Sequence, residues 1–267
     1  MPEFPLSRRH CLALALGGLA MRPAHAAQAA SAAGPHSLSV LSYYDYPPFS
    51  TGPGHGLTQD LLQLLQQRAG PLLPPLQVEL MPRRRVAAMV TSSSWRGLVP
   101  WVSSAWFQDT ARHRFVWTEP LMSDEDLVLS LKSRPVDYQG PASLKGLTLG
   151  GVFGHVYPET EAMVTAGTLQ RLDSFSQEAS LRMLLMGRVE VVFISRSGLA
   201  SWRKRLPEFD TRLHVAEHPR QRYQRHLLLS PLMPEAPREW LLQTVAGLGQ
   251  DAAWRGLLQQ YDVDVPA

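Results

Sequence analysis

The sequence predicts an α/β protein built as two lobes joined by two extended connectors. Three observations carry this reading. A strand, loop, helix, strand series opens the folded part of the chain. A second series of the same kind starts at Ser143. Two extended runs, 126–135 and 225–231, stand where the chain would pass from one lobe to the other and back. Strands that alternate with helices form a parallel sheet whose faces the helices cover.

The first strand is "HSLSVLSYY", ending at Tyr44. "PPFSTGPGHG" follows, turn material rich in proline and glycine. Leu57, Leu61, Leu64, Leu65 and Ala69 then recur at helical spacing, and Gly70–Pro71 stops that helix. "LQVELMP" reads as the next strand. In the second series, "SLKGLTLGGVFG" is a strand ending in glycines, and Pro158 and Gly167 bracket a helix. Ser176 caps the amphipathic helix "QEASLRMLLMG", which Gly187 closes. "VEVVFIS" is a buried strand and "GLASWRKRL" a further helix. "APREWLLQTVAGLG" and "DAAWRGLLQQYD" are the last two helices. The lobes are expected over 38–128 with 230–267, and over 134–225.

The chain start reads as an address. "SRRHC" is basic, "CLALALGGLAM" is apolar and "AHA" offers small residues for a cut near Ala26. That is the order of a secretory signal, and the apolar run is too short to span a bilayer. Residues 1–26 are therefore expected to be removed on export to the periplasm, with 27–37 a flexible leader. Cys11, the one cysteine, lies inside the signal. The exported chain then offers no disulfide, thiol nucleophile or thiolate ligand.

Of 267 residues, 45% are apolar and 18% charged, a globular composition. The net charge is +3, but Arg8, Arg9 and Arg22 against Glu3 fall in the signal, so the exported chain is near neutral. Nucleic acid is not expected as a partner. His214 and His218 are four apart with no third ligand apparent, and no phosphate loop occurs, so no metal or cofactor is expected.

These motifs in this order resemble the periplasmic solute-binding proteins of the polar amino-acid type, family 3. "YPPFS" with Gly56 and the "QDLLQLL" helix is similar to that family's opening. "RHRFVWTEPL", "SLKGLTLGGVFG", "LLMGRVEVVFIS" and "WRGLLQQYD" are similar to its later segments. The resemblance implies a type II periplasmic-binding-protein-like Venus flytrap with two hinge connectors. It implies a monomer that closes on a small-molecule solute and presents it to a membrane permease or a membrane sensor. Some relatives are enzymes, such as dehydratases of cyclohexadienyl acids. That chemistry needs a general acid, for which Glu119 and Glu190 are the nearby carboxylates; no enzyme activity is expected.

The resemblance places candidate ligand contacts at Tyr46, Phe49, Trp101 and Trp106, whose rings would sandwich a solute in the cleft. Tyr43, on the strand, is expected in the core. The family holds the ligand's carboxylate with an arginine, whose fork gives parallel charge-assisted bonds. Arg112 is the best match, one residue nearer Trp117 than the family spacing, with Arg114 beside it and Arg85 a second candidate. Gly154 and His155, in a strand-to-helix turn, are candidates from the second lobe. The family aspartate that meets a ligand ammonium falls on Ser195. A hydroxyl does not replace a carboxylate there, so a carboxylate-bearing solute without a free α-amine is expected. Glu190 aligns with a structural aspartate.

Overall fold

The structure, a computed structural model, describes residues 37–263. The expected signal, its cut near Ala26 and residues 27–36 of the leader lie outside the described residues.

The first lobe opens with strand β1 (Leu38–Ser42), helix α1 (Leu57–Ala69), strand β2 (Leu76–Leu80), helix α2 (Arg83–Val90) and strand β3 (Gly97–Val102). β1 pairs in parallel with both β2 and β3. Helix α1 turns Leu57, Leu61, Leu62 and Leu65 onto the sheet. Each such side chain removed from water contributes roughly 1.5–3 kcal/mol. Gly70, with φ 54, ends the helix in a conformation that costs glycine little. β3 lies so close to β1 that a Cβ on Gly97 would sit 1.9 Å from the Ser39 carbonyl oxygen. Pro100 cannot donate to a ladder. It stands where the pairing of β3 with strand β10 (Gln221–Leu229) breaks register, and Trp101 beyond it has φ 68.

The chain then runs through strand β4 (Val116–Trp117) into strand β5 (Met122–Leu131). In the second lobe strand β6 (Thr148–Val152) pairs in parallel with strand β7 (Gln170–Ser174) and strand β8 (Val191–Ser195). Helices α3 (Pro158–Thr165) and α4 (Gln177–Leu185) make the crossovers. Ser176 Oγ accepts from the Ala179 N–H, the cap the sequence predicts. Helices α5 (Leu199–Arg205) and α6 (Phe209–Arg212) and strand β9 (Leu213–Val215) complete the lobe, with β9 pairing with β5.

After β10, helices α7 (Glu235–Leu248) and α8 (Ala252–Gln260) return to the first lobe. Trp254 of α8 stacks on Trp101 with centroids 6.1 Å apart, and both belong to one core with β1, α1 and the end of β10. Two further cores, on the two faces of the second sheet, are built from residues 127–216. The protein is thus a two-lobed α/β fold.

The connectors differ in detail from the expected runs. They are strands β5 and β10, and they pair with each other antiparallel from Gln221↔Asp126 to Arg225↔Met122. Beyond that ribbon, β10 pairs with β3 and β5 pairs with β8. The acidic run Asp124–Asp126 thereby faces an arginine-rich run. Arg225 Nε meets Asp124 at 2.6 Å, Arg222 meets Glu125 at 2.7 Å, and Arg220 pairs with Asp126.

Candidate functional site

A cavity with about 520 Å³ of empty space, part of it open to solvent, lies between the lobes beyond the ends of β1 and β8. Crevices at strand ends are the usual ligand positions of open α/β sheets. The first lobe supplies Tyr43, Tyr44, Tyr46, Arg83 and Trp106. The second supplies His155, Tyr157, Phe193 and Ser195, the connector strands supply Asp126, Tyr223 and Arg225, and Arg220 stands just before β10.

The lobes touch around this space. Arg83, at the start of α2, donates through Nη1 to the Gly154 carbonyl at 3.2 Å and through Nη2 to the Trp106 carbonyl at 3.0 Å. The Tyr43 ring meets His155 edge-on at 5.9 Å, and Tyr46 stacks on Trp202 at 6.1 Å.

Three arginines line the cavity, and their charges are met differently. Arg225 is buried and almost fully engaged. Nε donates to Asp124, Nη1 to Tyr44 Oη at 2.9 Å and the Trp101 carbonyl at 2.8 Å, and Nη2 to Tyr223 Oη at 3.0 Å. Asp124 also accepts from Ser197 Oγ at 2.7 Å and from the Ser197 and Glu125 N–H groups. Burial works against the Arg225 charge, yet its partners hold its pKa above the usual arginine value. Arg220 pairs with Asp126 and Glu159. Among the described residues no carboxylate pairs with Arg83; its recorded partners are the two carbonyls and the Tyr43 ring, 5.8 Å away.

Apart from Asp126, which is paired with Arg220, the hydroxyls and the imidazole of the wall are neutral donors and acceptors. Burial pushes the Tyr157 hydroxyl up to about 12 and raises Tyr44, Tyr46 and Tyr223, so all four stay protonated. Burial, with Arg83 next, pushes His155 down to about 4, so its ring is uncharged at neutral pH. Among the described residues, the site therefore offers one cation without a carboxylate partner, Arg83, amid hydroxyls and aromatic faces.

Of the residues proposed from sequence, Tyr46, Trp106, His155 and Ser195 line the cavity. Gly154 lines a neighbouring pocket that shares Arg83, Trp106 and His155 with this one, and its carbonyl accepts from Arg83. Four expectations need correction. Phe49 and Trp101 are fully buried behind the cavity wall, Phe49 against Tyr44 and Trp101 and under the Arg225 guanidinium. Trp101 spends its indole N–H on Thr58 Oγ1 at 2.9 Å. The family resemblance placed both at the cleft, but their rings turn inward to the first core. Arg85 is exposed and outside the cavity, because Arg83 is the member of the arginine run at the first helical position. Arg112 is exposed, with φ 57, and reaches His226 instead. Asp109 gathers the loop around it, accepting from the His113, Arg114 and Phe115 N–H groups and from Trp117 Nε1. That turn carries Arg112 away from the cleft. Tyr43, expected in the core, is buried there and also gives an edge to the cavity. Glu190 accepts from the Thr148 N–H at 2.8 Å, and Glu119 is exposed.

Sequence reasoning passed over Arg83, Asp126, Tyr157, Arg220, Tyr223 and Arg225. The alternation of arginines at 220, 222 and 225 opposite "DED" was the one available signal for the last group.

Two lobes, paired connector strands and a cavity between them make a fold that solved amino-acid-binding proteins share. A mutant of the ArgBP of T. maritima superposes with TM-score 0.68 at 12% identity, over 85% of this chain and 95% of the other. The binding component of an ABC transporter from Wolinella succinogenes, complexed with lysine, gives TM-score 0.67 at 15% identity, over 86% and 97%. The GluR0 ligand-binding core from Nostoc punctiforme with L-glutamate gives 0.64 at 12%, over 84% and 98%. At such identities the likeness is one of fold. No family model matches the sequence, and no curated protein matches it.

Proposed function

We propose that this protein is an extracytoplasmic solute receptor that closes its lobes on a small carboxylate-bearing solute and presents it to a membrane transporter. The observation that carries the reading is Arg83: a guanidinium lining an aromatic cavity between the lobes, with no carboxylate among the described residues to neutralise it. An anion there completes the charge balance and makes charge-assisted bonds in a water-poor space. Tyr43 and Trp106 beside it supply flat faces for an aliphatic or ring-bearing body. The solute touches both lobes, which is what closure requires, because only differential affinity for the closed form shifts the equilibrium. The fold neighbours, which include an ABC-transporter component with lysine, support capture of a small solute. No catalytic role is assigned: Asp126, the carboxylate in the wall, is occupied by Arg220, Gln221 and Tyr223.

The test is mass spectrometry of the solute that co-purifies, followed by calorimetry with that compound. Arg83→Ala should weaken binding by about 2–5 kcal/mol, the usual loss when one partner of a buried charge pair is removed. A cationic or uncharged co-purifying solute, or unchanged affinity in Arg83→Ala, would overturn the reading.

A further inference from the structure

We infer that the cavity carries a second subsite, built by Ser195 and Arg220, which takes a neutral oxygen of the solute, so that the solute is an oxo- or hydroxy-carboxylate rather than an amino acid. This rests on the reading of Arg83 as the carboxylate site and adds the group that distinguishes one carboxylate from another.

Two residues of the cavity wall each carry a buried polar atom with no hydrogen-bond partner among the described residues: Ser195, through Oγ, and Arg220, through Nε. Ser195 is 5% exposed and ends β8. Phe193, two residues before it, shares its face of the strand, and both line the cavity. The Arg220 guanidinium lies over that Phe193 ring, 4.9 Å from its centroid, and over Tyr157 at 5.2 Å. The strand register agrees: Ser195 faces Asp126 on β5, and Asp126 faces Gln221 on β10, the residue after Arg220. The Arg220 side chain is 2% exposed and its terminal nitrogens are spent on Asp126 and Glu159. Nε–H is what remains.

A buried donor without an acceptor is costly, more so on a charged group. Nε–H can only donate, so the missing partner is an acceptor. Ser195 Oγ–H can donate to the same oxygen. The acceptor is neutral because the Arg220 charge is already met by two carboxylates, which would repel a further anion. It is not an ammonium, because an ammonium would face a guanidinium N–H. The carboxylate that would attract one, Asp126, already accepts from Tyr223 Oη at 3.0 Å, from Gln221 Nε2 at 2.8 Å and from Arg220. Arg83 across the cleft and this pair thus read two different ends of one small acid. Sites built to hydrogen-bond a substrate group reject analogues that leave their polar atoms unpaired.

The experiment is isothermal calorimetry of the signal-free protein with matched quartets of carboxylic acids, side chains running from methyl to benzyl. Each quartet holds the α-unsubstituted, α-oxo, α-hydroxy and α-amino acid on one skeleton. The expected result is that the oxo or hydroxy member of the best skeleton binds at least tenfold tighter than the unsubstituted and amino members. Ser195→Ala, which removes no contact within the protein, should bring the oxo-to-unsubstituted ratio to within twofold. A tighter amino member, or a ratio that survives Ser195→Ala while Arg83→Ala weakens the whole quartet, overturns this subsite and leaves the carboxylate reading standing. Failure of every quartet to bind overturns both.

Discussion

Replacing Asp124 with alanine should cost about 4 kcal/mol of folding stability. The carboxylate is buried at the crossing of the two connector strands, and its four hydrogen bonds all come from groups the protein cannot easily rehydrate. Arg225 Nε lies at 2.6 Å, Ser197 Oγ at 2.7 Å, the Glu125 N–H at 2.8 Å and the Ser197 N–H at 3.1 Å. The side chains of Arg225 and Asp124 are 1% and 0% exposed. Removing one partner of such a pair leaves an uncompensated buried charge, a loss of about 3–5 kcal/mol. Some of the orphaned donors would recover water in the space left behind, which places the expected value inside that range rather than at a sum over four bonds. Urea unfolding followed by tryptophan fluorescence reads the change. With a slope of about 2–3 kcal/mol/M for a chain of this size, the midpoint should fall by roughly 1.5–2 M. The double variant Asp124→Leu with Arg225→Met removes both charges together and should recover most of the loss, since apolar replacements of buried pairs are often neutral. A single-variant loss below about 1 kcal/mol, or a double variant no better than the single, would refute the claim that the charge pair holds this crossing.

Three more expectations follow from the same geometry. Arg112→Ala should leave solute affinity within about twofold, because the side chain is exposed and turned to His226; a loss of 2 kcal/mol or more by calorimetry would return it to the site. His155 is neutral in the fold, with a pKa lowered to about 4 by burial and by Arg83. Its contribution is present above the unfolded value of about 6.5 and is lost as pH falls from there toward 4, about 2 kcal/mol by pH 5. The urea midpoint should therefore drop less between pH 7 and pH 5 in His155→Gln than in the parent; equal drops would show that the ring is not held neutral. Asp109→Ala should cost on the order of 2–4 kcal/mol, because three backbone N–H groups and the Trp117 indole lose their acceptor. Burial opposes the Asp109 charge, but those donors hold its pKa below the usual value, so its contribution fades only below about pH 4 and does not confuse the His155 test. An Asp109→Ala midpoint equal to the parent's would show that the loop is held by something else.

Much of the fold was legible because its elements obey local rules. The α1 leucines, the Ser176 cap and the glycines after α1 and α4 mark their helices by spacing and backbone freedom alone. Other elements have no such mark. β7, "QRLDS", is an edge strand with little buried surface, so it shows no apolar alternation. β3 holds a proline, which argues against a strand until the register break is seen. The site was less legible than the fold. Arg83 is hidden in a run of three arginines that reads as a solvated helix start; which of the three enters the cleft depends on the angle of α2. The ion pairs of the connectors join residues about a hundred positions apart, and each partner alone reads as surface charge. Phe49 lies in the turn after β1 and Trp101 near the end of β3, and which side a ring takes there is decided by the core it meets.

The side-by-side connectors have a mechanical consequence. A single strand between two bodies would act as a universal joint, free to twist and swing. Here β5 and β10 are stitched together over five register positions, and the side chains at 124, 125 and 126 are tied to Arg225 and Arg222 on the opposite strand and to Arg220 just before it. Such a ribbon resists stretch and sideways shear, because either would slide one strand past the other and break the ladder and its ion pairs together. It yields mainly perpendicular to its own face. For the closing motion proposed above, the ribbon favours a single bending direction, like a leaf spring, and that bend would bring Arg83 back to the same Gly154 carbonyl across the cleft.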